Sequence, residues 1–229
     1  MDVLTNESYL SPWIEDLPFS WETFQQLGQK MLLKKHEYLF HQDQPTDHVY
    51  IVVEGRIRLF ITSPSGDEKA IVIIGKNGLI GECGIFNIPS YNSSAITASN
   101  ASVIKVPKHC FEAAMKDDYH ITKQILIIMD MKNRILASHT MMLSSYSAVQ
   151  RICYTLLQLV HTYGKKTKMG DVIDLRFTHQ ELANLVGTSR VTVANTMKML
   201  EKEQILAKVD SNYVITGVKQ LEKWVITSF

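Results

Sequence analysis

The spacing of apolar positions changes character three times along the chain. From about Glu37 to Val106 apolar and polar residues alternate in short runs, as in "VYIVVEGRIRLFI" and "ASVIKV". A period of two with many branched side chains predicts strands. The Pro-Ser-Gly-Asp turn inside "SPSGDEKAIVII" predicts a hairpin. Gly55, Gly66, Gly75, Gly78, Gly81 and Gly84 recur at turn-like intervals. Short strands with glycine punctuation and no helical pattern between them predict a small barrel or sandwich. They exclude a doubly wound α/β fold.

From Phe111 the period becomes helical. Phe111–Met115 leads into a stretch from Tyr119 to Ser145 that no proline or glycine interrupts. It carries two seams at near-heptad spacing. One is Ile125, Ile128, Lys132, Ile135, His139 and Met142; the other is Leu126, Met129, Asn133, Leu136, Thr140 and Leu143. Such a helix is roughly 40 Å long, too long to hide against one small barrel. One face is expected on the barrel and the other on the same helix of a second chain, giving a homodimer. The bland alternative is a long core helix within a monomer.

The third region starts near Ala148. "VQRICYTLLQLVHTYG" is amphipathic, with Ile152, Leu156, Leu159 and Val160 on one face. Gly164 and a lysine cluster are expected to end it. "DVIDLRF" reads as a short strand, and "ILAKVDSNYVITG" as a hairpin around Asp-Ser-Asn. Between them lies "FTHQELANLVGTSRVTVANTMKML". Thr178 to Glu181 has the form of a capping box, Gly187 suits a left-handed helix end, and Thr188 or Ser189 can cap the next helix. In that second helix Val193, Met197 and Leu200 are expected to face inward. This is the helix-turn-helix pattern, and the hairpin after it would be a wing.

The second helix leaves a mixed stripe uncovered: Arg190, Val191, Ala194, Asn195 and Lys198. A major groove admits one helix. Arginine matches the two acceptors of guanine, asparagine can pair with adenine, and valine can touch a thymine methyl. Thr178, Gln180, Thr188, Ser189 and Thr192 supply hydroxyl, amide and helix N-terminal N–H groups for phosphates. Double-stranded DNA is the partner this chemistry suits. The competing reading is a ligand-binding sensor or interaction protein whose helix pair does not touch DNA.

Composition adjusts this picture only slightly. The net charge of +1 divides unevenly: 13 basic against 16 acidic residues over 1–144, and 11 against 7 over 145–229. A mildly basic C-terminal region is compatible with nucleic-acid binding. Cys83, Cys110 and Cys153 are far apart, so neither a disulfide framework nor a zinc or redox pair is expected. Cys83 reads as a buried, inert thiol. The dispersed histidines include no close His-x-His pair, and no phosphate loop or nucleophile motif is present. No enzyme, metal or cofactor is expected. The run from Ile125 to Met129 is far shorter than the roughly 20 residues of a membrane span, and the N-terminus has no signal pattern. A cytoplasmic protein without membrane contact is expected.

"VYIVVEGRIRLF", "GLIGECGIF" and "FTHQELANLVGTSRVTVANTMKMLEKEQIL", in that order, resemble the Crp/Fnr family of transcription regulators. The resemblance covers about Phe24 to Ile215. It implies an α+β chain: an N-terminal cyclic-nucleotide-binding-like β-roll (1–117), a long dimerisation helix (118–146) and a C-terminal winged helix-turn-helix domain (147–229). It further implies a homodimer on an inverted-repeat promoter site, RNA polymerase as a further partner, and a small-molecule effector held near Gly81, Glu82, Ser93, Ser94 and Leu136. The hinge of an effector-driven shift would lie near Ser144–Ala148.

Departures from the family pattern shape the expectation. Cyclic-AMP binders place Arg-Ser where this chain has Ser93-Ser94, and hydroxyls where it has Leu136-Ala137. A phosphate without its cation forfeits about 1.5–3 kcal/mol, so an effector other than cyclic AMP, or none, is expected. No cysteine precedes Cys83, which removes the family's iron–sulfur chemistry. In the recognition helix an Arg-Glu-x-x-x-Arg pattern becomes Arg190-Val191-x-x-x-Asn195. Valine cannot accept from cytosine, so half-sites richer in A·T, about 34 Å apart, are expected.

Overall fold

The computed structural model describes residues 11–86 and 89–226. The described residues form two compact units, 13–133 and 134–226. In the first unit β1 (Trp13–Ile14), α1 (Glu22–Leu27), β2 (Gln29–Leu33) and β3 (Tyr38–Phe40) precede the central strands β4 (His48–Glu54), β5 (Ile57–Thr62) and β6 (Glu68–Ile74). Then come β7 (Leu79–Ile80), a short 3₁₀ turn (Glu82–Gly84), β8 (Ser94–Thr97), β9 (Ala101–Pro107) and α2 (Lys108–Asp117).

The strands form a five-stranded sheet, β1-β6-β5-β8-β3, and a four-stranded sheet, β2-β9-β4-β7. Neighbours are antiparallel except β1, which pairs parallel to β6. The alternation in "VYIVVEGRIRLFI" becomes β4 and β5. They are joined through Gly55 at φ +80°, where a Cβ would overlap the Asn100 carbonyl oxygen. The predicted turn before β6 is closed by Ser63 N–H donating to the Asp67 carbonyl at 2.9 Å.

The strand pattern extends further than the alternation suggested. β2 precedes Glu37, and α1 packs in front of it through Phe24, which stacks on Phe111 of α2 at 4.9 Å. Helix α1 is too short for its period to register in the sequence; it forms because the Phe24 ring is fully buried.

Helix α3 (Tyr119–Ser145) has the predicted length and no break. Its two seams part company. Ile125, Ile128, Lys132, Ile135, His139 and Met142 are buried, whereas Leu126, Leu136 and Leu143 are 57%, 44% and 48% exposed.

In the second unit α4 (Ala148–Tyr163) starts at a capping box. Gln150 N–H donates to Ser147 Oγ at 3.3 Å, and Ser147 N–H donates to Gln150 Oε1 at 2.9 Å. Gly164 ends the helix as expected, but the lysine cluster after it is not a helix tail. It forms β10 (Gly164–Thr167), a hairpin with β11 (Gly170–Ile173). The strand expected in "DVIDLRF" stops at Ile173, which pairs with Gly164 of β10, one residue past the last pair with β13. Next come α5 (His179–Val186), α6 (Arg190–Lys202), β12 (Leu206–Val209), β13 (Asn212–Ile215) and α7 (Val218–Ile226). The predicted hairpin is β12–β13, part of a four-stranded sheet β10-β11-β13-β12. Helix α7, absent from the sequence reading, is tied to α4 by Gln150 Nε2 donating to the Val225 carbonyl at 2.9 Å. Among the described residues no helix is long and apolar enough to cross a membrane.

Candidate functional site

The α5–α6 pair is built by local signals. Thr178 caps α5: its Oγ1 accepts from Glu181 N–H at 3.1 Å, and Glu181 Oε2 accepts from Thr178 N–H at 2.7 Å. Gly187, at φ 69° and ψ 56°, ends the helix in the left-handed conformation that costs a Cβ-bearing residue most. Of the two candidate caps for α6 it is Ser189 that serves, accepting from Thr192 N–H at 3.0 Å. Val193, Met197 and Leu200 are buried, as is Ala183 on α5.

That burial fixes what α6 presents outward. Arg190, Val191, Asn195 and Lys198 are exposed and Ala194 is half-buried, one continuous stripe from the helix N-terminus. Val191 is 67% exposed, which core packing does not explain. The phosphate candidates lie around it with part of their hydrogen-bonding capacity already used. Thr178 Oγ1 also donates to Glu181 Oε2, Gln180 Nε2 donates to Asn184 Oδ1 at 2.7 Å, and the Ser189 and Thr192 hydroxyls share a bond at 2.9 Å. Gln180 and Ser189 are exposed, and Thr188 is half-buried in the turn.

Four supporting residues, Arg151, His179, Lys208 and Tyr213, were not singled out as site residues from the sequence. Arg151 of α4 donates to the Val186, Gly187 and Tyr146 carbonyls at 2.7, 3.0 and 2.8 Å. His179 Nε2 lies 2.9 Å from Tyr213 Oη, which joins α5 to the wing strand β13. Burial, then the charges of Lys208 and Arg190, push the His179 imidazole below its usual range, against the pull of Glu201. Lys208 sits over the Tyr213 ring at 5.7 Å. No motif marks the contacts of Arg151 with Val186 and Gly187 or of His179 with Tyr213, because those partners lie more than thirty residues away.

In the first unit Gly81, at φ +90°, turns the chain so that Glu82 enters the interior. Glu82 is 1% exposed. Lys132 of α3 donates to its Oε1 at 2.6 Å and to the Leu79 carbonyl at 2.8 Å. Lys132 and His139 are the two polar residues of the buried α3 seam, and nothing in the sequence pairs Lys132 with Glu82. The second oxygen, Oε2, is buried without a hydrogen-bond partner among the described residues. Ser93 and Ser94 are both buried, and Ser94 Oγ accepts from Gln42 N–H at 2.9 Å. Leu136, the remaining expected effector residue, belongs to the other unit.

Cys83 corrects an expectation, since it is exposed rather than buried. Its thiol is nevertheless pushed up to about 11, by desolvation first and then by the Glu82 carboxylate, so it is a poor nucleophile. Buried Cys153 is pushed up to about 12 by desolvation. Among the described residues no cluster of three His, Cys, Asp or Glu could hold a metal.

Comparison with known proteins agrees with both halves of this geometry. Residues 30–118 match the cyclic nucleotide-binding domain, and residues 150–224 match the Crp-like helix-turn-helix domain. The CRP-like cAMP-activated global transcriptional regulator of Mycobacterium tuberculosis is 29% identical over 159 residues, covering 68% of this chain and 69% of that protein. The anaerobic regulatory protein of Bacillus subtilis is 23% identical over 196 residues, covering 85% of this chain and 82% of that protein. A CooA mutant from Carboxydothermus hydrogenoformans shares the fold, with a TM-score of 0.78 at 16% identity over 92% of each chain. These relatives by sequence are regulators, so this chain is not an enzyme. With an effector-type β-roll, a long helix and a helix-turn-helix DNA-binding domain in that order, the chain belongs to the Crp/Fnr family of transcription regulators.

Proposed function

We propose that the protein binds an inverted-repeat operator as a homodimer and that its β-roll responds to a small molecule other than cyclic AMP. The observation that carries the DNA reading is the α6 stripe. Arg190, Val191, Asn195 and Lys198 are exposed, while Val193, Met197 and Leu200 anchor the opposite face. In this reading Arg190 reads guanine, Asn195 adenine and Val191 a thymine methyl. Ala194 lets the helix approach the groove, Thr178, Gln180, Thr188, Ser189 and Thr192 meet the backbone, and Lys198 completes the stripe.

The exposed seam of α3 supports the dimer. Leu126, Leu136 and Leu143 recur along one face of a helix whose other face is buried. Leucines at this spacing are what a parallel helix pair would cover. The functional division then follows as 1–117 for sensing, 118–146 for pairing and 147–229 for DNA, in the cytoplasm, with RNA polymerase as the further partner.

For the effector, Gly81, Glu82, Ser93 and Ser94 form the site in this reading. The relative in Mycobacterium tuberculosis is named as activated by cAMP. Here the Lys132 ammonium is matched by Glu82, and the Ser94 hydroxyl is engaged with the backbone of Gln42. Neither is placed to replace the missing arginine for a cyclic phosphate. The unpaired Glu82 Oε2 suits a molecule that donates a hydrogen bond.

Selection of duplexes from a random pool by the purified chain is the deciding experiment. Recovery of an inverted repeat with half-sites about 34 Å apart is the expected result. Recovery of no common sequence refutes the operator reading and leaves a sensor or interaction protein. Calorimetry showing micromolar cyclic AMP binding refutes the effector reading alone.

A further inference from the structure

We propose that Arg151 is a positioning residue for DNA recognition, whose one guanidinium holds α6 at a set angle to the end of α3 and thereby sets the half-site spacing the protein accepts. The inference rests on the dimeric operator reading, because only a paired protein reads spacing.

The geometry consists of three bonds from three nitrogens. Nε donates to the Val186 carbonyl at 2.7 Å, Nη2 to the Gly187 carbonyl at 3.0 Å and Nη1 to the Tyr146 carbonyl at 2.8 Å. The first two acceptors close the C-terminal end of α5. Helix ends leave such carbonyls unpaired and carry partial negative charge, so a cation is favoured there. They also begin the turn that delivers α6, since Ser189 caps that helix two residues later.

The third acceptor is what separates positioning from simple bracing. Tyr146 is the first residue after α3, and only Tyr146 and Ser147 lie between α3 and α4. Its N–H still donates to the Met142 carbonyl at 3.0 Å, so it continues the α3 hydrogen-bond ladder. Bonds to Val186 and Gly187 would suffice to close α5. A bond to Tyr146 adds nothing to α5 and ties the recognition turn to the end of the pairing helix. A planar fork can span acceptors on two segments in fixed directions, whereas a lysine ammonium is a point donor on a flexible stem.

The test uses the full-length chain and the duplexes that the wild-type protein recovers from a random pool. They are rebuilt as the recovered repeat, as repeats with lengthened or shortened spacers, and as a single half-site. Wild type is expected to prefer the recovered spacing by roughly tenfold, the scale of a base mismatch. Arg151→Lys keeps the charge and is expected to bind the single half-site within about twofold of wild type while its spacing preference falls to about twofold or less. A second variant, with one alanine inserted after Tyr146, leaves Arg151 and the α5 carbonyls in place and is expected to lose spacing preference in the same way. Either folded variant retaining the wild-type preference overturns the inference. Loss of half-site affinity in step with spacing preference also overturns it, because that is what a purely structural arginine would do. If the wild-type chain recovers no inverted repeat, the dimeric operator reading fails first and the inference falls with it.

Discussion

Lys132 and Glu82, fifty positions apart, meet at 2.6 Å inside the β-roll unit, with the lysine also donating to the Leu79 carbonyl. A buried pair is weak evidence for stability, but removing one partner strands the other's charge. Lys132→Met is therefore expected to destabilise the β-roll by about 3–5 kcal/mol. The double variant Glu82→Gln with Lys132→Met should recover most of that loss. Urea unfolding of both variants checks this, and equal instability in the single and double variants would refute it.

Arg190 stands at the N-terminal end of the α6 stripe and is exposed. Arg190→Ala is expected to cost about 1–3 kcal/mol of specific binding and to relax one base position in each half-site. Titration against a panel of single-base operator variants measures both. Unchanged affinity would remove the assignment of Arg190 to base reading.

The turn between α5 and α6 depends on Gly187 at φ 69°. Gly187→Ala is expected to cost about 1–2 kcal/mol, because a Cβ in the left-handed region meets the following carbonyl. Thr178→Ala removes the α5 cap and is expected to cost about 1 kcal/mol. Thermal melting of the two variants gives the values, and a Gly187→Ala protein as stable as wild type would show that the turn can relax.

His179 introduces a pH dependence. Its folded pKa lies below the ordinary value of 6.5, through burial and the nearby Lys208 and Arg190. Above that ordinary value both folded and unfolded chains hold the imidazole neutral, and stability is complete. As pH falls from about 6.5 toward the lower folded value, the unfolded chain takes up the proton first and stability is lost. His48, shifted the same way by burial and Lys105, adds to the effect. Melting temperature should fall from about pH 7.5 to about pH 5.5, and fall less in His179→Asn. An identical fall in that variant would exclude His179 as a source.

The exposed seam of α3 makes a prediction about assembly. Leu126→Glu combined with Leu143→Glu places like charges on a face where both leucines are open to solvent. If that face pairs two chains, the double variant should sediment as a monomer and bind the full operator no more tightly than a half-site. A variant that remains a dimer would place the pairing surface elsewhere.

The sequence by itself determined the parts of the protein that are local. The alternation of β4 and β5, the uninterrupted length of α3, the Thr178–Glu181 box, Gly187 and the inward set of Val193, Met197 and Leu200 each lie within one turn or one strand of their partners. Period and capping chemistry suffice there, because the interacting groups are fixed by backbone geometry a few residues away. The outward stripe of α6 follows by subtraction from its buried face. Only the tertiary structure decided that Lys132 answers Glu82, that Arg151 joins Tyr146 to Val186 and Gly187, that His179 meets Tyr213, and that the lysine-rich segment after α4 is strand β10. It also decided that one α3 seam is buried and the other open. These outcomes depend on which distant segments pack together, and a polar side chain finds its partner only after apolar burial has brought those segments into contact.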